Sequence, residues 1–201
     1  MPQSFELRPI LLTARVRLEP LTPAHRADLA LAADHPAIWT HMPSNASGAG
    51  FDPWFDAALT VAASGREAVW AVRAGGALVG STRYLAIEPA HRRLEIGHTW
   101  YAPAVWATHV NAASKFALLR YAFEALAMNR VELKTDARNQ RSQRAIAKLG
   151  ATREGVFRAH MIRRDGSLRD SVYFSIVRSE WPAVRERLAE RLGILEMALE
   201  T

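Results

Sequence analysis

The sequence predicts a single α/β (α+β) domain, on three observations. Turn-punctuated apolar runs fill residues 68–100, a long amphipathic helix follows them, and short strands and helices then alternate toward the C-terminus. A chain of 201 residues that is 49% hydrophobic can bury one sizeable core, so residues 1–201 are assigned to one domain, with 182–201 as a C-terminal helical appendage.

The first strand is read from Arg15 to Leu21, where charged and apolar residues alternate, and Thr22-Pro23 then supplies a helix cap followed by proline. Helices are expected over Ala24–Ala33 and Phe51–Ala63, separated by a Gly/Ser/Asn/Pro-rich loop from Met42 to Gly50. Ala68–Arg73 and Ala77–Ile87 flank Gly75-Gly76 as a hairpin, and Arg92–Trp100 completes a three-stranded meander. Leu119, Phe123 and Leu126 recur at helical spacing in the segment Asn111–Leu126. Val131, Leu133 and Thr135 alternate as a strand; Asn139 caps a short helix that closes at Gly150. Strands around Ala151–Met161 and Ser171–Val177, joined by a turn at Asp165-Gly166, precede Trp181-Pro182 and a charged last helix.

Composition removes several kinds of chemistry. With no cysteine, thiolate nucleophiles, thiolate metal sites and disulfides are excluded. The seven histidines lack paired ligand spacing, so no metal site is expected, and no G-x-G-x-x-G follows a strand. No apolar run approaches the roughly 20 residues of a membrane span, and Glu6 and Pro9 break the layout of an export signal, so a cytoplasmic protein without a membrane partner is expected. The net charge of +6 favours an anionic partner. Between Arg138 and Arg169 the only acidic residues are Glu154 and Asp165, which makes that stretch the candidate phosphate-facing surface.

A helix that begins directly after a strand aims free backbone amides and the positive end of its dipole at whatever lies before it. The loop Ala102–Val110 is one such place, and the helix capped by Asn139 is another. Asn139 and Ser142 share a face of that helix, and Ala145 follows on it, small enough to admit a ligand.

The ordered set Glu95-Ile96-Gly97-His98-Thr99-Trp100, Trp106, Thr108, Val110-Asn111, Lys115, Ala122-Phe123-Glu124, Val131 to Asp136, Asn139 to Ile146, Gly150, Glu154-Gly155, Arg158, His160, Asp165-Gly166, Arg169-Asp170 and Trp181-Pro182 resembles the RimJ/RimL-like branch of the GNAT N-acetyltransferases. The resemblance spans about Arg15 to Val184. It implies a mixed, mostly antiparallel seven-stranded sheet flanked by helices, in which the strands ending near Trp100 and Thr135 splay apart to hold acetyl-CoA, with no metal. Ile96, Gly97 and His98 would pair with the pantetheine arm, the amides of Thr108, His109, Val110 and Asn111 would hold the pyrophosphate, and Asn139, Ser142 and Ala145 would line the other side. Relatives tend to carry glycine beside the threonine, whereas this chain reads Ala107-Thr108-His109, a more restricted backbone that puts cofactor affinity in question.

Acetyl transfer needs a neutral amine, a donor for the developing oxyanion and a proton for the departing thiolate. Glu95 is the first candidate base, His160 the second and His98 the third; a backbone amide near Gly97 or His98 would meet the oxyanion. The thiolate-protonating tyrosine of many relatives is missing after Gly150, leaving Ser142 or water held by it. Trp39 and Met42 are the candidate acceptor-groove residues. The acceptor implied is an amine: a peptide N-terminus or a small molecule, with polyamine-like compounds and amino acids among the alternatives. Two rival readings are a non-catalytic acyl-CoA-binding protein of the same fold and an RNA- or ribosome-associated basic protein. Nucleic-acid binding is disfavoured because no stacking-aromatic pattern accompanies the charge. Monomer and homodimer are both compatible with the chain.

Overall fold

A computed structural model describes residues 7–194. Eight strands form one sheet: β1 (Leu11–Leu12), β2 (Arg17–Pro20), β3 (Ala68–Ala74), β4 (Ala77–Glu88), β5 (Arg93–Tyr101), β6 (Arg130–Asp136), β7 (Thr152–Ile162) and β8 (Leu168–Val177), in the order β1-β2-β3-β4-β5-β6-β8-β7. The helices are α1 (Arg26–Ala33), α2 (Phe51–Ala63), α3 (Val110–Arg120), α4 (Gln140–Ala147) and α5 (Trp181–Leu192). The strand beyond the seven expected is the two-residue β1, too short to leave a periodic signal. The helix expected over Asn111–Leu126 is α-helical only to Arg120 and continues as a π-helical turn, Tyr121–Ala125.

Both faces of the sheet are covered. β3 shows how: Trp70 and Val72 enter a core with α3 and α5, while Val69 and Ala71 enter a second core with α1 and α2. Alternate residues of one strand therefore bury against different helical layers, which is why Ala68 to Val72 is apolar throughout. The expected C-terminal appendage is integral to the first core as far as Leu192. Trp181, Val184, Leu188 and Leu192 are all buried in it, and Trp181 stacks on Phe123 at 5.3 Å. Residues 195–201 lie outside those described. Among the described residues no helix is long and apolar enough to cross a membrane.

Every neighbouring pair of strands is antiparallel except β5 and β6. Those two run parallel and pair at only three positions, Arg93 with Arg130, Leu94 with Val131 and Glu95 with Glu132. Beyond Glu95 they separate, although β5 continues to Tyr101 and β6 to Asp136.

Candidate acetyl-CoA site

A cavity of about 540 Å³ opens where β5 and β6 part. Glu95 to Tyr101 form one wall, Leu133 to Asp136 the facing wall, and residues of α3 and α4 one end. Of the sequence-derived candidates, Glu95, Ile96, Gly97, His98, Thr108, Asn111, Asn139, Ser142, Ala145 and Met42 all line it.

β5 carries a bulge beside the opening. Gly97 faces Arg83 and Trp100 faces Ser81, so β5 has one more residue than β4 in this interval, and His98 takes the left-handed φ of 46°. Glycine at 97 leaves the Glu95 carboxylate where it stands: a Cβ there would lie 2.9 Å from Glu95 Oε1 and 2.9 Å from Leu85 Cδ2, and both side chains would have to shift. The absent side chain makes room for the Glu95 carboxylate.

Glu95 is 3% exposed, and Lys134 Nζ donates to its Oε2 at 2.8 Å. Burial raises its pKa, and the Lys134 bond opposes that shift without cancelling it. Burial, reinforced by Arg83, holds His98 down at about 4, so this ring is neutral and a weak base near pH 7. His160 sits outside the cavity on exposed β7, its Nδ1 3.0 Å from Ser171 Oγ and its Nε2 3.5 Å from Tyr173 Oη. Burial and the cations Lys134 and Arg169 lower its pKa.

The loop before α3 retains the turn that glycine would favour. Ala107 adopts φ 61°, a left-handed conformation that costs a residue with a side chain about 1 kcal/mol or more. Ala107→Gly is therefore expected to stabilise the protein by about 0.5–1 kcal/mol, raising its melting temperature by about 2–4 °C per kcal/mol. A thermal melt that falls instead would show an unstrained loop. α3 then begins: the amide of Ala113 donates to His109 O, and the amides ahead of it have no acceptor within the helix. Thr108 Oγ1 accepts from the amide of Val110 at 3.3 Å. The Val110 side chain is in the core, which bears on nothing but its side chain, since the group assigned to the pyrophosphate is its backbone amide; His109 is exposed and off the cavity wall.

Asn139 caps α4 by accepting from the amide of Ser142 at 3.0 Å. On this side the rim is basic: Arg141 and Arg144 of α4 and Lys148 at its C-cap line the cavity with Arg191 of α5, and none of the four forms an ion pair among the described residues. Arg141 lies 4.2 Å over the Trp106 ring, which holds the guanidinium at the rim. Phosphates fit this end.

Trp39 is displaced from the role the sequence suggested. Its ring is fully buried between Trp54 and Trp100, at 6.0 and 5.3 Å, and Nε1–H donates to Ala33 O, so it backs the acceptor-side loop from behind while Met42 and Pro43 form the wall. Lys115, which enters the sequence reading as a member of the resembling set and not as a site residue, is 5% exposed on the cavity wall. Its ammonium contacts Thr99 Oγ1 and Thr82 Oγ1, and burial brings its pKa down to about 7.

A family described as the acetyltransferase (GNAT) domain matches residues 15–152 of this chain. YoaA of Bacillus subtilis, named as an uncharacterized N-acetyltransferase, is 31% identical over 101 residues, which are 50% of this chain and 56% of YoaA. The chain thus spans about half the length of the curated relatives it matches. A crystal structure of a GCN5-related N-acetyltransferase from Brucella melitensis superposes with a TM-score of 0.85 at 30% identity, covering 92% of this chain and 86% of that one. Mycobacterium smegmatis RimJ, solved in complex with CoA-disulfide, shares the fold at a TM-score of 0.75 and 21% identity, over 92% of this chain and 93% of that one. With a parted parallel seam, a basic rim and two helix starts at the same cavity, this chain belongs to the GNAT acetyltransferase family.

Proposed function

We propose that this protein is an acetyl-CoA-dependent N-acetyltransferase whose acceptor is a primary amine of a peptide N-terminus or a small molecule. The observation that carries the reading is the gap between β5 and β6, where the backbone of residues 96–98, without a strand partner on the β6 side, faces a cavity with anion-binding groups at one end. The resemblance to the RimJ/RimL-like branch supports the peptide acceptor.

Acetyl-CoA would supply a thioester carbonyl, and its phosphates fit the start of α3 and the Arg141, Arg144, Lys148 and Arg191 rim. Ile96, Gly97 and His98 hold the pantetheine arm through their backbone, and an amide at the bulge meets the developing oxyanion, as polarised N–H groups do in acyl transfer. Glu95 takes the amine proton, directly or through water. Its raised pKa makes it a stronger base than an ordinary carboxylate, and His98, held at about 4, is weaker than an ordinary imidazole. His160 is set aside by its place outside the cavity. Ser142 returns a proton to sulfur.

Thermal shift with acetyl-CoA, NAD, ATP and RNA tests the cofactor. Acetyl-CoA alone is expected to raise the melting temperature, because a ligand that binds only the folded state stabilises it by mass action. Thiol release against a panel of amines tests the transfer. Binding of acetyl-CoA without amine-dependent release would leave a non-catalytic acyl-CoA-binding protein.

A further inference from the structure

Arg169 stands on β8 just beyond the end of β6, whose last residue, Asp136, pairs with Ser171. Val172 and Phe174 of β8 enter the core with α3. The alternate residues Ser171 and Tyr173 face the other way, and Arg169 shares their side of the sheet, with Lys134 opposite Tyr173. The side chain is 9% exposed and lines the cavity. Its Nε is buried without an acceptor, and no hydrogen bond or ion pair among the described residues reaches the guanidinium.

The nearby carboxylates are already engaged. Asp136 accepts two bonds from Arg163, at 2.8 and 3.0 Å, and one from the amide of Arg138 at 2.8 Å. Glu95 is held by Lys134. A guanidinium remains charged in proteins; Asp136 and Glu95 are near enough to attract this one but bond other partners, and a buried guanidinium left without a bonded anion in a ligand cavity marks the place of an arriving one. The phosphates of the proposed cofactor have the α4 and α5 cations. Arg169 lies instead opposite Met161 of β7, in the hairpin whose Arg164 donates to Trp39 O at 2.9 Å, behind the acceptor loop.

We propose that Arg169 selects the acceptor: it binds a carboxylate carried by the amine that is acetylated and so brings that amine to Glu95. This rests on the acetyltransfer reading above. The planar fork of arginine matches a carboxylate through two parallel bonds. The same chemistry, a primary amine with a carboxylate a few atoms away, occurs in a free amino acid and in a peptide whose first residue is acidic. In the reaction the amine nitrogen gains the acetyl carbon as the carbon–sulfur bond breaks, one proton passes to Glu95, sulfur receives one, and the carboxylate is unchanged.

The test uses two matched pairs, methionine against methioninamide and Asp-Phe-amide against Asn-Phe-amide, with kcat/KM measured on the wild type, Arg169→Gln and Arg169→Lys. In at least one pair the wild type is expected to prefer the carboxylate-bearing member by about 100-fold, since a site built to bond a polar group discriminates strongly against an analogue lacking it. The pair that shows the preference identifies the source of the carboxylate. Arg169→Gln should bring that ratio near one, and Arg169→Lys, which keeps the charge without the fork, should fall between. Ratios near one on the wild type in both pairs, or a preference that survives in Arg169→Gln, would overturn the proposal. Should Arg169→Gln not fold, the wild-type ratios and Arg169→Lys decide it.

If no amine is acetylated, the acetyltransfer reading fails, and calorimetry on CoA-loaded protein decides the anion site separately. Heat on titrating methionine or Asp-Phe-amide, absent with its neutral counterpart and lost in Arg169→Gln, would support the site. Equal heats for both members of each pair, or none, would overturn it.

Discussion

Glu95→Gln is expected to lower kcat by about 10²–10³-fold while changing the Kd for acetyl-CoA by less than about twofold. The amide keeps the shape of the side chain and can still contact Lys134, but it cannot accept the amine proton. Because burial raises the Glu95 pKa, the acid limb of the wild-type kcat/KM profile should turn down at a higher pH than the usual carboxylate value of about 4.3. The sign follows from the role: the base works only when ionised, so activity is lost as pH falls through the raised pKa. That limb should be missing in the variant. Steady-state kinetics from pH 5 to 9 with parallel calorimetry of acetyl-CoA binding checks both statements, and equal loss of turnover and affinity would make Glu95 architectural.

The second large effect concerns stability. Lys115→Met is expected to make the folded protein more stable at pH 7, by several kcal/mol at most, with the gain shrinking toward pH 10. Lys115 is buried against two threonine hydroxyls, and its pKa drops to about 7 from an unfolded value of about 10.4. Between those values the unfolded chain holds a proton that the folded chain has released, so wild-type stability contributed by this group climbs with pH across that window. Below about 7 both states are protonated and the penalty is at its full, constant size. Urea unfolding of the two proteins at pH 7, 8.5 and 10 measures the difference, and a gap independent of pH would show that Lys115 keeps its proton in the fold.

Local signals carried most of the fold. α2 occupies the predicted residues 51–63 because Asp52-Pro53 opens it and its apolar spacing is helical. The hairpin at Gly75-Gly76 is where two adjacent positive-φ glycines require it. Such features depend on residues close in the chain. The cofactor cleft was legible only through an ordered resemblance, since no local pattern states that β5 and β6 pair at three positions and then part. Side-chain environments were the least legible. Lys115 reads as a polar residue on a helix face, and it is buried only because Thr82 and Thr99 come from two distant strands to meet it. Trp39 reads as an entrance aromatic, and Trp54 and Trp100, far along the chain, turn it into core. Arg169 drew notice only as part of a motif and a basic run. Its lack of a bonded partner depends on Arg163 having taken Asp136, a competition visible only in three dimensions.

The short seam between β5 and β6 has a consequence for altering this protein. The slot is an interruption in main-chain pairing, so its width is fixed by strand geometry and hardly by the size of the residues along it. A library that varies Met42, Met161 or Ser142 should change what fits and how fast it reacts, yet leave the slot in place. Closing it would demand re-registering two strands whose outer neighbours, β4 and β8, are already paired along most of their length.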